Sequence, residues 1–390
     1  MTFSPSQLSH PYAHIGINAH LLATTAGYRR AGIHQYIYQI IRHLPPAENT
    51  RYTVYTRLME GWDRRADRRL AGTRLPTDNR IARIVWEQAV WPLQARRDGL
   101  TLMHSMAFVT PRLAPCPVVV TIYDLSFIEN PEAFPAAQRR YLMAETAHSC
   151  RHAARLVAIS DSGRHDIHRL YGVPLERIDI VRPGVAAHYR PLPGEQVAAF
   201  REQQGLPDQF LLHVGTLQPR KNIPTLLDAV ARLNRPEVTL VLVGGKGWIF
   251  DSIYERVETL GLSGRVRFAG YVDDEQLPLW YNAAAALVMP SYYEGFGLPV
   301  AEALACGTPV VAAATSSLPE AGGDLALYFD PRDADALAAC LARALDDPAV
   351  GQTARAAGPD HAARFSWSRA GADMAAIYRR VAAETGRSRG

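Results

Sequence analysis

The stretch that most constrains the fold runs from Ala284 to Pro309. It opens with Ala284-Ala285-Ala286-Leu287-Val288-Met289 and passes through Pro290-Ser291-Tyr292-Tyr293-Glu294-Gly295-Phe296-Gly297. It then continues as Leu298-Pro299-Val300-Ala301-Glu302-Ala303-Leu304-Ala305-Cys306-Gly307-Thr308-Pro309. The unbroken apolar run suits a strand covered on both faces, as in a parallel sheet. Gly295 and Gly297 predict a tight loop whose backbone comes close to a ligand. Pro299 fits the first helical position and Gly307 the position past the helix end. Strand, glycine loop and helix in this order aim unpaired N–H groups at an anion.

Glu294 and Glu302 bracket that loop, one before the helix and one within it. Carboxylates accept hydrogen bonds from sugar hydroxyls, so an acid on each side of an anion-binding loop points to a nucleotide sugar. The plainer alternative is a surface acid followed by an ordinary helix acid.

The same strand–loop–helix grammar recurs along the chain. Phe210-Leu211-Leu212-His213-Val214-Gly215 reads as a strand, and Ile223, Leu226, Leu227 and Val230 recur at helical spacing. Between them, Arg220 and Lys221 before a helix start form a diphosphate cradle or, failing that, surface cations beside a turn. Asn222 is expected to cap the helix. Thr239–Val243 and Arg265–Val272 supply further strand signals, and Gly270, Tyr271 and Val272 end the second. In the first half, Ala13–Asn18 leads into a loop containing Arg29, Arg30 and Gly32, then a helix carrying Ile37, Ile40, Ile41 and Leu44. Arg51–Tyr55, Leu100–Ser105, Pro117–Leu125, Arg155–Ser160 and Ile178–Val185 follow as strands, whereas Gly61–Arg80 reads as loop and exposed helix. Ile84–Leu93 is a packed helix or part of an acceptor wall through Trp86, and His104 ends its strand as either a structural or an acceptor-side group. Asp124, at a strand's carboxyl end, suits a buried core only if paired and is a candidate substrate contact. Ser160 or Asp161 would cap the helix after its strand, and His165 reads as a helix-surface residue.

Composition narrows the function. At 390 residues the chain accommodates two α/β domains, and 48% hydrophobic with 21% charged residues is ordinary globular usage. No apolar run approaches the ~18 residues of a membrane span, and no N-terminal signal pattern appears. Cys116, Cys150, Cys306 and Cys340 are widely spaced, as reduced core cysteines are, so a cytoplasmic location is expected. A net charge of +4 without a nucleic-acid motif does not point to nucleic acid. The pairs Arg29–Arg30, Arg64–Arg65, Arg68–Arg69, Arg96–Arg97 and Arg139–Arg140 are solvated surface by default. Those of the first half also suit an acceptor phosphate or an anionic membrane face, and hence a peripheral place on the inner face of the plasma membrane. Asp333-Ala334-Asp335 matches a metal–diphosphate triplet but stands before an alanine-rich helix, where it reads as helix N-terminal acids. No metal and no cofactor are expected. The glycine loop of the first half lacks the dinucleotide fingerprint, which disfavours a dehydrogenase.

Glu294 to Glu302 forms Glu-x7-Glu inside Glu-Gly-Phe-Gly-Leu-Pro-x-x-Glu-Ala, followed by Cys306-Gly-Thr-Pro-Val310. This resembles the signature of the retaining glycosyltransferases of family 4, and the resemblance extends over nearly the whole chain. It implies the GT-B fold, two facing Rossmann-like domains with a deep interdomain cleft. The implied division is an acceptor-binding domain over 1–188, a nucleotide-sugar-binding domain over 189–365, and a crossover helix over 366–390 that packs back on the first domain. It also implies candidate catalytic residues Glu294, Lys221, Arg220 and Asp124. The implied donor contacts are Gly32, Tyr123, Gly215, Arg220, Lys221, Gly270, Tyr271, Val272, Glu294, Gly295, Phe296, Gly297, Leu298 and Glu302, with Glu302 on the ribose and Glu294 on the donor sugar. Arg29, Arg30, Trp86 and His104 are the acceptor-side candidates. Many relatives carry a histidine–aspartate pair where this chain has Tyr123-Asp124, and tyrosine is a poor base near neutral pH. The pattern is most similar to bacterial mannosyltransferases of polysaccharide assembly, implying GDP-mannose as donor and a saccharide or lipid-linked saccharide as acceptor. A UDP-sugar or nucleotide-linked rhamnose donor, a sugar-nucleotide epimerase, and a non-catalytic sugar-nucleotide sensor or scaffold stay open as alternatives.

Overall fold

The computed structural model describes residues 13–22, 32–46, 49–57, 68–131, 134–245 and 251–387. Arg29, Arg30, Arg64 and Arg65 lie outside the described residues. The chain divides into two compact units. The first runs to Leu125, resumes over Ala136–Arg182 and ends with the segment from Trp367; the second takes Ser126–Pro135 and Pro183–Ser366. The division thus falls after Arg182 rather than at 188, and Ser126–Pro135, expected in the first domain, groups with the second.

The first unit is built on a seven-stranded sheet of β1 (Ala13–Asn18), β2 (Thr50–Tyr55), β3 (Arg68–Ala71), β4 (Leu102–Ser105), β5 (Val118–Ile122), β6 (Arg155–Ala158) and β7 (Ile178–Ile180). The order is β3-β2-β1-β4-β5-β6-β7, with every pair parallel. All five residues of β5 are buried, as expected for a strand covered on both faces. Of the stretch Gly61–Arg80, residues 61–67 lie outside the described residues; β3 corrects the expectation of loop and exposed helix over 68–71. It is an edge strand whose arginines carry their charge away from the sheet: Arg68 bonds the carbonyl of Ile41 and Arg69 pairs with Asp98.

The second unit carries β8 (Phe210–Val214), β9 (Thr239–Val243), β10 (Val266–Gly270), β11 (Ala286–Met289), β12 (Val310–Ala313) and β13 (Ala326–Phe329), ordered β10-β9-β8-β11-β12-β13 and all parallel. Each sheet therefore grows outward in one direction and then reverses, between β1 and β4 in the first unit and between β8 and β11 in the second. At such a reversal the two connecting loops part to opposite faces, and ligands settle outside the carboxyl ends of the two strands.

The last helix, Trp367–Arg387, belongs to the first unit, where it lies along helix Ile33–His43. Tyr36 and Trp367 meet edge to face at 5.9 Å, and Arg380 reaches Asp179 at 2.7 Å. Gly371 makes this approach possible: a Cβ there would stand 2.2 Å from the carbonyl oxygen of His43. No helix among the described residues is long and apolar enough to cross a membrane.

Candidate active site

The loops after β8 and β11 flank the reversal of the second sheet. After β8 the chain forms a short 3-10 turn, Pro219–Lys221, then turns at Asn222 with φ 55° into helix Ile223–Arg232. Asn222 stands at the cap position, but its side chain makes no cap bond. Instead its amide donates to the carbonyls of Pro290, 3.0 Å, and Pro331, 2.8 Å, fixing the cationic turn against the loop after β11. A second tie joins Tyr292 N–H to the Arg220 carbonyl at 2.9 Å.

The loop after β11 leads to helix Leu298–Ala305, with Gly297 as its N-cap at φ 97° and Pro299 in its first turn. Only glycine takes that backbone angle cheaply, and a Cβ would lie 2.9 Å from Leu318. The N–H groups of Gly295, Phe296 and Gly297 make no backbone hydrogen bond among the described residues. They belong to the glycine loop that the sequence places before this helix. The Phe296 ring is buried against Phe365, 5.1 Å away, so any ligand contact there falls to its backbone rather than its side chain.

Glu294 is the centre of the site. Its Oε1 accepts from Lys221 Nζ at 2.6 Å and Ser291 Oγ at 2.7 Å, and its Oε2 accepts from Arg220 at 2.8 Å. The backbone is held as firmly: its N–H donates to Ser316 Oγ and its carbonyl accepts from Ser317 Oγ, each at 2.9 Å. Burial opposes the charge, but Arg220 and Lys221 outweigh it and hold the carboxyl well below the usual carboxylate range. The acid and the two cations thus form one ionic cluster. Gly215 borders it, since a Cβ there would meet Lys221 Cε at 3.1 Å.

Glu302 sits one helical stretch away and accepts from Tyr281 Oη at 2.8 Å. Burial, with Asp274 adding to it and the Tyr281 bond opposing, pushes the carboxyl up to about 8. Asp274 in turn accepts from Tyr189 Oη at 2.6 Å. Gly270 ends β10 at φ 73°, and Tyr271 beyond it is exposed. Val272 and Leu298 are half-buried. Asp333 accepts from the N–H groups of Asp335 and Ala336 at 3.0 and 2.9 Å and caps helix Ala334–Asp346, as its helix-terminal reading requires.

In the first unit the outcome is mixed. Gly32 is the N-cap of helix Ile33–His43, and no atom of the described residues stands within 4 Å of where a Cβ would point. Asp124 is half-buried just past β5. Three candidates are corrected. Tyr123 is buried and its hydroxyl donates to the Met106 carbonyl at 2.6 Å, so it does not take up the sugar contact of a histidine. His104 is fully enclosed between Thr121 Oγ1, 2.9 Å, and Tyr378 Oη, 2.6 Å, with its pKa lowered to about 3 by burial. Trp86 is a core residue stacked on Trp91 at 5.6 Å, so its ring packs inside the unit rather than forming an acceptor wall, while Val85 and Leu93 of the same helical stretch are exposed. His165 is exposed on its helix, and Ser160 rather than Asp161 supplies the cap, accepting from Gly163 N–H at 3.0 Å.

Sequence reasoning missed Ser291, Ser316, Ser317, Tyr281 and the clamping role of Asn222. Only Ser291 lies inside the motif, where a hydroxyl three residues before the acid was a usable signal. The others act across distant elements.

Two family models match the chain. One described as Glycosyltransferase Family 4 covers residues 30–189, and one described as Glycosyl transferases group 1 covers 196–361. The O-antigen chain mannosyltransferase B of Escherichia coli is 37% identical over 282 residues, 71% of this chain and 73% of the relative. The D-inositol 3-phosphate glycosyltransferase 2 of Catenulispora acidiphila is 39% identical over 249 residues, 58% of this chain and 56% of that protein. Among solved structures, the sucrose-phosphate synthase of Thermosynechococcus elongatus superposes with a TM-score of 0.78 at 25% identity, covering 95% of this chain and 100% of the other. Two parallel Rossmann-like sheets, a glycine loop and paired acids at the second reversal, and these matches agree: the chain belongs to glycosyltransferase family 4, with the GT-B fold, and is a glycosyltransferase.

Proposed function

We propose that the chain transfers mannose from GDP-mannose to a saccharide or lipid-linked saccharide acceptor, with retention at the anomeric carbon. The observation that carries this reading is the Arg220–Lys221–Glu294 cluster beside the glycine loop at the reversal of the second sheet. Breaking the bond between the sugar C1 and the diphosphate leaves negative charge on the diphosphate. Lys221, Arg220 and the N–H groups of Gly295–Gly297 are the groups suited to stabilise that charge as it develops. The acceptor oxygen bonds to C1 on the face the diphosphate leaves, and its proton passes to a diphosphate oxygen. Glu294 keeps the cations apart and aligned, and Glu302 is assigned to the ribose hydroxyls. This reading gives no part to a metal or other cofactor.

The choice of mannose rests on the 37% identity to the O-antigen mannosyltransferase. A lipid-linked acceptor would bring basic residues such as the exposed Arg140 to an anionic membrane face. The test supplies the purified chain with GDP-mannose, UDP-glucose, a UDP-linked amino sugar or a nucleotide-linked rhamnose, together with a mannose-terminated saccharide. An α-linked mannoside formed from GDP-mannose alone is the expected product. Transfer only from another donor, or a β-linked product, overturns the reading.

A further inference from the structure

At the reversal of the second sheet, the register between β8 and β11 runs through Leu211↔Ala286 and ends at Leu212↔Leu287. One residue further along, the side chain of His213 takes over, and its Nδ1 lies 3.0 Å from the Val288 carbonyl. A carbonyl only accepts, so Nδ1 carries the ring proton and Nε2 is left with a lone pair. The ring is wholly buried, and Nε2 has no hydrogen-bond partner. Burial, and after it the charge of Lys221, lowers the pKa to about 4, so the ring is a neutral acceptor at ordinary pH. The other residues of β8 are Phe210, Leu211, Leu212 and Val214, all apolar. A buried acceptor without a donor is costly among them, and that cost needs a reason.

The lone pair stands beside the ionic cluster. A Cβ placed on Gly215 would lie 3.2 Å from Lys221 Nζ and 3.6 Å from His213 Nε2. The imidazole nitrogen and the ammonium thus border one small space, which any side chain at 215 would fill. Lys221 gives an N–H to Glu294 Oε1 at 2.6 Å. An ammonium carries three donors on a flexible stem, so it can turn from one acceptor to another. The two acceptors differ in charge. Glu294 offsets part of the positive charge of Arg220 and Lys221, whereas a neutral imidazole orients an ammonium and leaves its charge whole for an anion.

We propose that His213 is the positioning residue of Lys221: when a nucleoside diphosphate draws the ammonium from Glu294, His213 Nε2 accepts an N–H and holds the charge on the diphosphate. This deepens the proposed function and rests on its placing of the diphosphate at Lys221, not on the choice of mannose. His213 itself touches no ligand, and its buried nitrogen acts only through Lys221. The cost of the unpaired nitrogen is recovered on binding, which favours the bound position of the ammonium over its place on Glu294.

The experiment titrates the full chain calorimetrically with GDP and with UDP. It compares wild type, His213→Asn, His213→Phe, His213→Gln, Lys221→Ala and the double variant His213→Phe/Lys221→Ala. Asparagine keeps a donor for Val288 and phenylalanine keeps the ring volume, but neither offers an acceptor at the place of Nε2, whereas glutamine does. The expected result is a loss of about tenfold in GDP affinity for His213→Asn and His213→Phe, the size of one hydrogen bond to a charged group. His213→Gln should restore affinity to within about threefold of wild type. On the Lys221→Ala background, His213→Phe should change affinity less than about twofold, since the residue it acts through is gone. Phenylalanine and glutamine both give up the Val288 bond, so their contrast decides the matter if His213→Asn does not fold. An equal loss with and without Lys221, unchanged affinity in His213→Phe, or no recovery by glutamine overturns the role. If UDP binds in place of GDP and shows this same pattern, the GDP-mannose reading fails and the positioning role stands. Binding of neither diphosphate by wild type overturns both.

Discussion

At the scale of single residues, the site is governed by what surrounds its two glutamates. Glu294 is buried and ionised, with two cations and a serine on its oxygens. Removing one member of a buried pair leaves uncompensated charge, a loss of about 3–5 kcal/mol. Glu294→Ala removes the carboxylate that both Arg220 and Lys221 bond, so it should destabilise by about that amount and lower kcat about 100-fold or more. Lys221→Ala leaves Arg220 and Ser291 on the acid, so it should destabilise less while weakening GDP binding more. Chemical denaturation and calorimetric titration of GDP check the two orders; reversed orders would remove Lys221 from the diphosphate. Glu302 behaves in the opposite sense. Burial pushes its pKa up to about 8 from an ordinary 4.5, so between those values the folded chain binds more protons than the unfolded one. Its contribution to stability therefore falls as pH rises across that window. The fall should be absent in Glu302→Gln, as measured by urea midpoints at pH 5 and pH 8 in the two proteins.

At the scale of elements, the two sheet reversals decide which loops matter, and here the sequence was legible in one half of each loop. Strand–glycine–helix order is local, so Gly297, Pro299 and the cationic turn could be placed from residue types alone. Which side chains the turn uses inward was not legible. Asn222 looked like a helix cap because it precedes Ile223. It clamps Pro290 and Pro331 instead, contacts across 68 and 109 residues that no local pattern encodes. The same limit explains His104: its strand was clear, but its partner Tyr378 lies 274 residues away. Trp86 sat in a correctly read helix whose π-turn alters which side faces inward, a geometry that spacing at 3.6 residues cannot anticipate. β3 was missed because arginines occupy a strand that protects a sheet edge. The clamp also gives a prediction. Asn222→Ala loses two donors to buried carbonyls and places a Cβ residue without local side-chain bonding at φ 55°, an expected cost of about 2–4 kcal/mol. Asn222→Gly removes the same donors but relieves the backbone, so its thermal midpoint should lie between wild type and Asn222→Ala. Equal midpoints for the two variants would show that the left-handed turn contributes nothing.

At the scale of the whole molecule, chain order and compact unit do not coincide, because the last helix belongs to the unit built from the first residues. That helix covers apolar groups that would otherwise face water: Ile37, Ile40, Ile41 and Tyr52 are all 0–1% exposed, and Ala375, Ile377, Tyr378 and Val381 of the last helix are buried. It also supplies the hydroxyl that satisfies His104 Nδ1 and the guanidinium that pairs Asp179. A chain ending at Ser366 would lose these contacts together. Burying one large apolar side chain contributes about 1.5–3 kcal/mol, so several such losses are comparable to the ~5–15 kcal/mol margin of a typical domain. The second unit keeps its sheet, its cationic turn and its glycine loop, all of which lie within Pro183–Ser366. The shortened chain should therefore lose the first unit's cooperative unfolding transition while GDP still raises the midpoint of the transition that remains. Gly371→Val provides the milder version, since a branched side chain there meets the His43 carbonyl and forces the helix outward. It should lower only the first unit's transition, by several degrees. Differential scanning calorimetry with and without GDP separates the outcomes. Loss of the GDP-stabilised transition in the shortened chain would mean that the donor site depends on the first unit as well as on its own sheet reversal.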